Sequence, residues 1–198
     1  MTVTIDYYLS TSSPWTYLGS GRLHRIAEKT GAKVNVYPVA FGQIFAVSGG
    51  LPLPKRAPQR QAYRMMELKR WKEFLNDPIN IEPKNFPATD PISSLAIIAA
   101  RELGLDAFGL STALLTALWV HDRNIDDREV TAAVTASHGL DANAIMDKAA
   151  TPEITALFEA DTKHAIDQGV FGAPSYVVDG EIFWGQDRVD LLAWRLGV

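Results

Sequence analysis

Val3-Thr4-Ile5-Asp6-Tyr7-Tyr8-Leu9-Ser10-Thr11-Ser12-Ser13-Pro14 decides how the rest of the chain is read. Val3, Ile5, Tyr7 and Leu9 alternate with Thr4, Asp6 and Tyr8, the period of a strand with one apolar face. Ser10 to Ser13 then offer helix-capping side chains, and Pro14 suits a first helical position, where a missing N–H costs nothing. A helix therefore starts at Pro14. Leu18, Leu23, Ile26 and Ala27 give it an apolar face, and Gly31 ends it. Val34 and Val36 fall on one side of a second strand over Lys33 to Val39, so the chain opens with a βαβ unit.

The other end repeats strand character with a different connection. Gly169-Val170-Phe171-Gly172-Ala173-Pro174 leads into a strand from Ser175 to Val178, and Asp179-Gly180 separates it from a second strand, Glu181 to Trp184. Asp-Gly tolerates the positive φ angles of a type I′ turn, which makes this a β-hairpin. Val189, Leu192 and Leu196 form a closing amphipathic helix, for which Asp187 is the expected cap. Between the two ends, helical patterns cover Gln59 to Leu75, Pro91 to Leu103, Leu110 to His121, Asp127 to Ser137, Asp141 to Ala149 and Pro152 to Gln168. Pro91 behind Asp90 and Pro152 behind Thr151 read as proline starts after a capping residue. Gly42 to Pro58, rich in glycine and proline, reads as a long loop. The expected architecture is α/β, a thioredoxin-like sheet (βαβ then ββα) with an inserted all-helical domain. Residues 1–58 and 169–198 would form the thioredoxin-like domain and residues 59–168 the insertion.

Composition narrows the function. The 198 residues carry a formal net charge of -4, which argues against nucleic acid or an anionic membrane as a partner, since both need a basic footprint. The start lacks a basic segment followed by an apolar run, and no stretch reaches the roughly 18 apolar residues of a membrane span. A cytoplasmic location is expected. There is no cysteine. Disulfides, thiolate-ligated metals, a cysteine nucleophile and a Cys-x-x-Cys redox pair are all excluded, so any sulfur chemistry must use an imported sulfur.

Three constellations carry chemistry. Ser13-Pro14 stands at a strand-to-helix junction, where unpaired N–H groups favour an anion and where thioredoxin-like folds hold a low-pKa cysteine. A serine there either caps the helix or donates to another molecule's thiolate. Ala173-Pro174 either is an ordinary loop proline at a strand start or has a cis bond, which would let the Ala173 backbone pair with an extended peptide. Gln186-Asp187 opens the last helix, and Asp187 either caps it or accepts from an ammonium group. Lys55 and Arg56, in the glycine and proline loop, can clamp a carboxylate. Arg56, Arg60 and Arg64 recur every four residues, a pattern that reads as a solvated helix face. His24, His121, His138 and His164 show no metal-ligand spacing and read as scattered.

Taken together, Ser13-Pro14 with Tyr17, the stretch Gly49 to Arg56 with Tyr63 and Trp71 behind it, and Gly169 to Pro174 running through Val178-Asp179-Gly180 to Gly185-Gln186-Asp187-Arg188 resemble the 2-hydroxychromene-2-carboxylate isomerase family. That family is related to kappa-class glutathione transferases and DsbA-like thioredoxin folds. The resemblance implies that glutathione binds with its sulfur at Ser13, its peptide backbone against Ala173 before a cis Pro174, and its γ-glutamyl end near Gln186 and Asp187. It also implies a reversible opening of a hydroxychromene carboxylate to a hydroxybenzylidenepyruvate in aromatic catabolism. The expected partner is a small aromatic carboxylate substrate held by Lys55 or Arg56, with Trp15, Trp71 and Trp184 able to line its pocket, and the chain is expected to be a homodimer. Relatives often carry an asparagine in the glycine and proline loop, where this chain has Gly49, Gly50 and Leu51. A kappa-like transferase and a non-catalytic DsbA-like binding module are the competing readings.

Overall fold

The computed structural model describes residues 3–89 and 91–198. The chain opens with strand β1 (Thr4–Leu9), helix α1 (Pro14–Thr30), strand β2 (Lys33–Pro38) and helix α2 (Phe41–Ser48). A short 3-10 turn (Leu53–Lys55) then leads to α3 (Pro58–Leu75). Five helices follow, α4 (Ile92–Glu102), α5 (Ala107–Trp119), α6 (Arg128–Ser137), α7 (Ala142–Ala149) and α8 (Pro152–Asp167). The chain closes with β3 (Ser175–Val178), β4 (Glu181–Trp184), a 3-10 turn (Gln186–Arg188) and α9 (Val189–Arg195).

The sheet order is β2-β1-β3-β4. β1 runs parallel to β2 with Ile5 opposite Val34, and antiparallel to β3 with Tyr7 opposite Tyr176. The two chain ends therefore build one sheet, and the antiparallel register brings Pro174 beside the end of β1 that leads to Ser13. Asp179 and Gly180 have φ of 50° and 81°, the left-handed values that a type I′ hairpin turn requires. Pro14 begins α1 and Gly31 ends it in the left-handed conformation, as the sequence indicates.

Both sheet faces are covered, which the alternation in β1 did not show. Ile5, Tyr7 and Leu9 join a core that continues through Ile97 and Ile98 of α4 to Leu114 and Trp119 of α5. Tyr8, on the opposite face, is equally buried, against Ile44 of α2 and Ala165 of α8. Gly42 to Pro58 is accordingly not all loop. Its first part is α2, held by the fully buried Ile44 and lacking a side-chain cap, so tertiary packing supplies a stability that local sequence does not signal. α4 is buried on nearly all sides and packs against β2, α5, α7 and α8. α3 differs: Leu68 is its one fully buried residue, and Met65, Trp71 and Leu75 are half-buried against the core.

Two helix starts differ from expectation. Thr151 precedes α8 without a side-chain cap hydrogen bond; its hydroxyl is turned back toward the preceding helix, where it donates to the Lys148 carbonyl at 2.8 Å. Pro91 stands one residue ahead of α4, and its expected cap, Asp90, lies outside the described residues. Among the described residues, no helix is long and apolar enough to cross a membrane.

Candidate active site

Each hydroxyl from Ser10 to Ser13 has a hydrogen-bond partner, near in the sequence for Ser10 and Ser13 and distant for Thr11 and Ser12. Ser10 Oγ accepts from the Ser12 N–H, Thr11 Oγ1 meets Ser93 Oγ at 2.9 Å, and Ser12 Oγ accepts from the Ala88 N–H at 3.1 Å. Ser13 is the N-cap of α1, in extended conformation, with Oγ accepting from the Thr16 N–H at 3.2 Å. Among the described residues its own O–H has no acceptor, so it can be donated to a ligand at the positive end of the helix.

The Ala173–Pro174 bond is cis. Gly185 N–H donates to the Pro174 carbonyl at 2.8 Å, and Ser175 Oγ donates to the Gly172 carbonyl at 2.7 Å, which fixes the segment on both sides. A Cβ at Gly172 would collide with the Trp184 indole, so any larger residue requires that side chain to shift. The N–H and C=O of half-buried Ala173 have no partner among the described residues, which leaves them for an extended ligand.

The turn after β4 is anchored by a residue that local sequence did not single out. Arg22 of α1 donates through Nη1 to the Gln186 carbonyl at 2.9 Å and to Gln186 Oε1 at 3.1 Å, and through Nη2 to Asp190 at 2.6 Å. Gln186 is buried, so its amide oxygen is an internal anchor that holds the turn. Asp187 does not cap the closing helix, which starts two residues later at Val189 behind the 3-10 turn. Its half-exposed carboxylate instead accepts from Arg188 Nη1 at 2.9 Å.

A cleft of about 650 Å³ joins these pieces, a size within the range of small-molecule sites of roughly 300–1,000 Å³. Of the expected site residues, Trp15, Arg56, Ala173, Gln186 and Asp187 line it. Pro174 directly follows the lining residue Ala173, Ser13 stands two residues before the lining residue Trp15, and Lys55 is exposed and outside the lining. Arg60 and Arg64 also line the cleft; Arg60 is exposed, as a solvated face requires, whereas Arg64 is half-buried, which departs from that reading. The four-residue spacing was visible in the sequence, but nothing local showed that this face of α3 turns toward the sheet end. Burial, and then the neighbouring Arg56, lower the pKa of Arg64 to about 10. The histidines are less scattered than expected. His24, His121 and His138 border a separate depression of about 490 Å³, where His24 stacks on Phe108 at 3.6 Å and His138 meets Asp106 at 3.2 Å.

A four-stranded sheet with a cis-proline segment beside a helix start defines the thioredoxin-like class, and comparison with known proteins narrows it. The chain belongs to the family of DSBA-like thioredoxin domains, which matches residues 4–197. It is similar to a 2-hydroxychromene-2-carboxylate isomerase from Sphingobium xenophagum, at 29% identity over 97% of each chain. It is also similar to glutathione S-transferase kappa 1 from Homo sapiens, at 27% identity over 98% of this chain and 91% of that protein. A solved 2-hydroxychromene-2-carboxylate isomerase superposes with a TM-score of 0.82 at 23% identity, covering 98% of this chain and 94% of that one.

Proposed function

We propose that the protein is a glutathione-dependent isomerase interconverting 2-hydroxychromene-2-carboxylate-type compounds and trans-o-hydroxybenzylidenepyruvate. The observation that carries this reading is a hydroxyl donor with no acceptor among the described residues, at a helix start two residues before Trp15 of a cleft also lined by Ala173 and Asp187, in a chain with no cysteine. The names of the similar isomerase and transferase support it. Bound glutathione would supply a thiolate able to add reversibly to a conjugated carbon.

The protein's own groups do the rest. Ser13 O–H donates to the sulfur, and the α1 N-terminus lowers the energy of negative charge there. The free N–H and C=O of Ala173 orient the peptide backbone, and Asp187 accepts from the ammonium at the turn held by Arg22. Arg56 fixes the substrate carboxylate, while Trp15, Trp71 and Trp184 offer flat walls to its ring.

The transferase reading has its own support in the kappa-class similarity. A spectroscopic approach to equilibrium from each compound, with and without glutathione, separates the two once the glutathione is weighed by mass spectrometry. Isomerisation interconverts both compounds and returns glutathione unmodified. A conjugate accumulating with turnover establishes the transferase instead, and failure to bind glutathione leaves a non-catalytic binding module.

A further inference from the structure

One wall of the cleft is α3, and the helix start at Ser13 stands on a different part of the chain. Tyr17, a side chain the mechanism leaves unused, joins the two. It lies one turn into α1, with its backbone N–H donating to the Ser13 carbonyl at 3.1 Å. Its hydroxyl donates to Asp77 Oδ1 at 3.0 Å, across 60 positions of sequence. Among the described residues this is the one hydrogen bond between α1 and the stretch from Pro58 to Asp77.

Asp77 is a fixed acceptor. α3 ends at Asn76 in the left-handed conformation, with φ of 48°. The Asp77 N–H donates back to the Lys72 carbonyl at 2.9 Å, Lys72 Nζ donates to the Ile79 carbonyl at 2.7 Å, and the Ile79 N–H donates to the same Asp77 Oδ1 at 2.9 Å. Ile79 is fully buried, so this knot is seated in the core. α3 otherwise meets the core through apolar side chains, Leu68 buried and Met65, Trp71 and Leu75 half-buried. Apolar contact is non-directional and resists separation more than sliding, whereas a hydrogen bond fixes distance and direction. Burial, followed by the charge of Asp77, raises the Tyr17 pKa well above its ordinary 10.0, so the hydroxyl stays a donor at neutral pH.

We infer that Tyr17 is a positioning residue for the co-substrate: by tying the end of α3 to the first turns of α1, it sets where Tyr63 and Trp71 on the α3 wall stand relative to Ser13. Tyr17 itself lies outside the cleft lining and acts through Asp77. The co-substrate rests on the proposed isomerase reading. The proposed glutathione contacts, Ser13, Ala173 and Asp187, are all off α3, so losing the tie falls on the co-substrate and spares glutathione.

The test compares wild type, Tyr17→Phe, Asp77→Asn and Asp77→Ala by turnover of 2-hydroxychromene-2-carboxylate, calorimetric titration with glutathione, and amide hydrogen exchange. Tyr17→Phe keeps the ring and loses the hydroxyl. It is expected to raise KM for the chromene at least about fivefold while glutathione affinity stays within about twofold of wild type. Exchange should quicken over the last turns of α3 and not over β1 or β3. Asp77→Asn keeps an accepting oxygen and should hold KM within about twofold of wild type. Asp77→Ala should match Tyr17→Phe, and combining the two should add nothing further. If Asp77→Ala does not fold, the contrast between Tyr17→Phe and Asp77→Asn carries the test. An unchanged KM in folded Tyr17→Phe overturns the inference. So does an equal loss for chromene and glutathione, which would make Tyr17 a general support of the fold. A wild type that binds glutathione but does not turn over the chromene overturns the isomerase reading instead; quickened α3 exchange in Tyr17→Phe then still upholds the tie, and unchanged exchange overturns it.

Discussion

At Ser13 the side-chain oxygen accepts the Thr16 N–H while its proton remains free, so capping and donation do not compete for the same part of the hydroxyl. Substitution can separate the two. Ser13→Ala loses both cap and donor, whereas Ser13→Gly loses the donor but keeps a backbone that glycine caps tolerate. Ala is expected to destabilise the fold by about 1 kcal/mol and Gly by only a few tenths. Both are expected to lower turnover by roughly 10²-fold, the usual effect of removing one donor to an anion. Urea unfolding alongside turnover at saturating glutathione checks this. Near-normal turnover in either variant would reduce Ser13 to a cap.

Among elements, α1 and the Gln186–Arg188 turn meet with almost no clearance. A Cβ at Gly19 would collide with the Tyr176 hydroxyl and come within 3.2 Å of Gln186 Cβ. Tyr176 is fully buried and stacked on Tyr7, so it has nowhere to swing. Gly19→Ala gains helix propensity of about 1 kcal/mol but incurs an overpacking cost of about 1–3 kcal/mol. The net expectation is a loss of up to about 2 kcal/mol and weaker glutathione binding, because the turn moves with the strain. Gly21, on the same helix, has nothing within 4 Å of a built Cβ. Gly21→Ala should therefore stabilise by up to about 1 kcal/mol. Equal stability changes for the two variants in denaturant titrations would rule out the close contact.

For the whole molecule, pH exposes a cost built into the packing of α1 on α5. Burial lowers the pKa of His24 below its ordinary 6.5, with Asp106 and Glu28 opposing and His138 assisting. Between the lowered value and 6.5 the unfolded chain binds more protons than the folded one, so stability rises with pH through that window. Protonation of His24 therefore destabilises the fold as pH drops from neutral. The melting temperature should fall on acidification from pH about 7.5 to about 5.5, and fall less in His24→Phe, which keeps an aromatic ring beside Phe108. An NMR titration placing the His24 pKa at or above 6.5 would contradict this.

Sequence alone determined what is local. The alternation in β1, the proline start and glycine end of α1, and the Asp-Gly hairpin each depend on neighbours within a few residues, and the structure contains all of them. The missing cysteine is likewise a fact of composition, and it forces any thiol to come from outside. Tertiary structure decided the rest. Burial of Tyr8 and the stability of α2 follow from a second layer over the sheet, which no periodicity in β1 encodes. The hold of Arg22 on Gln186 spans 164 positions of sequence, and Asp187 lost its capping role because the chain makes a 3-10 turn before α9. Arg60 and Arg64 show the same limit. Four-residue spacing puts side chains on one helix face, but only packing determines whether that face meets water or a cavity.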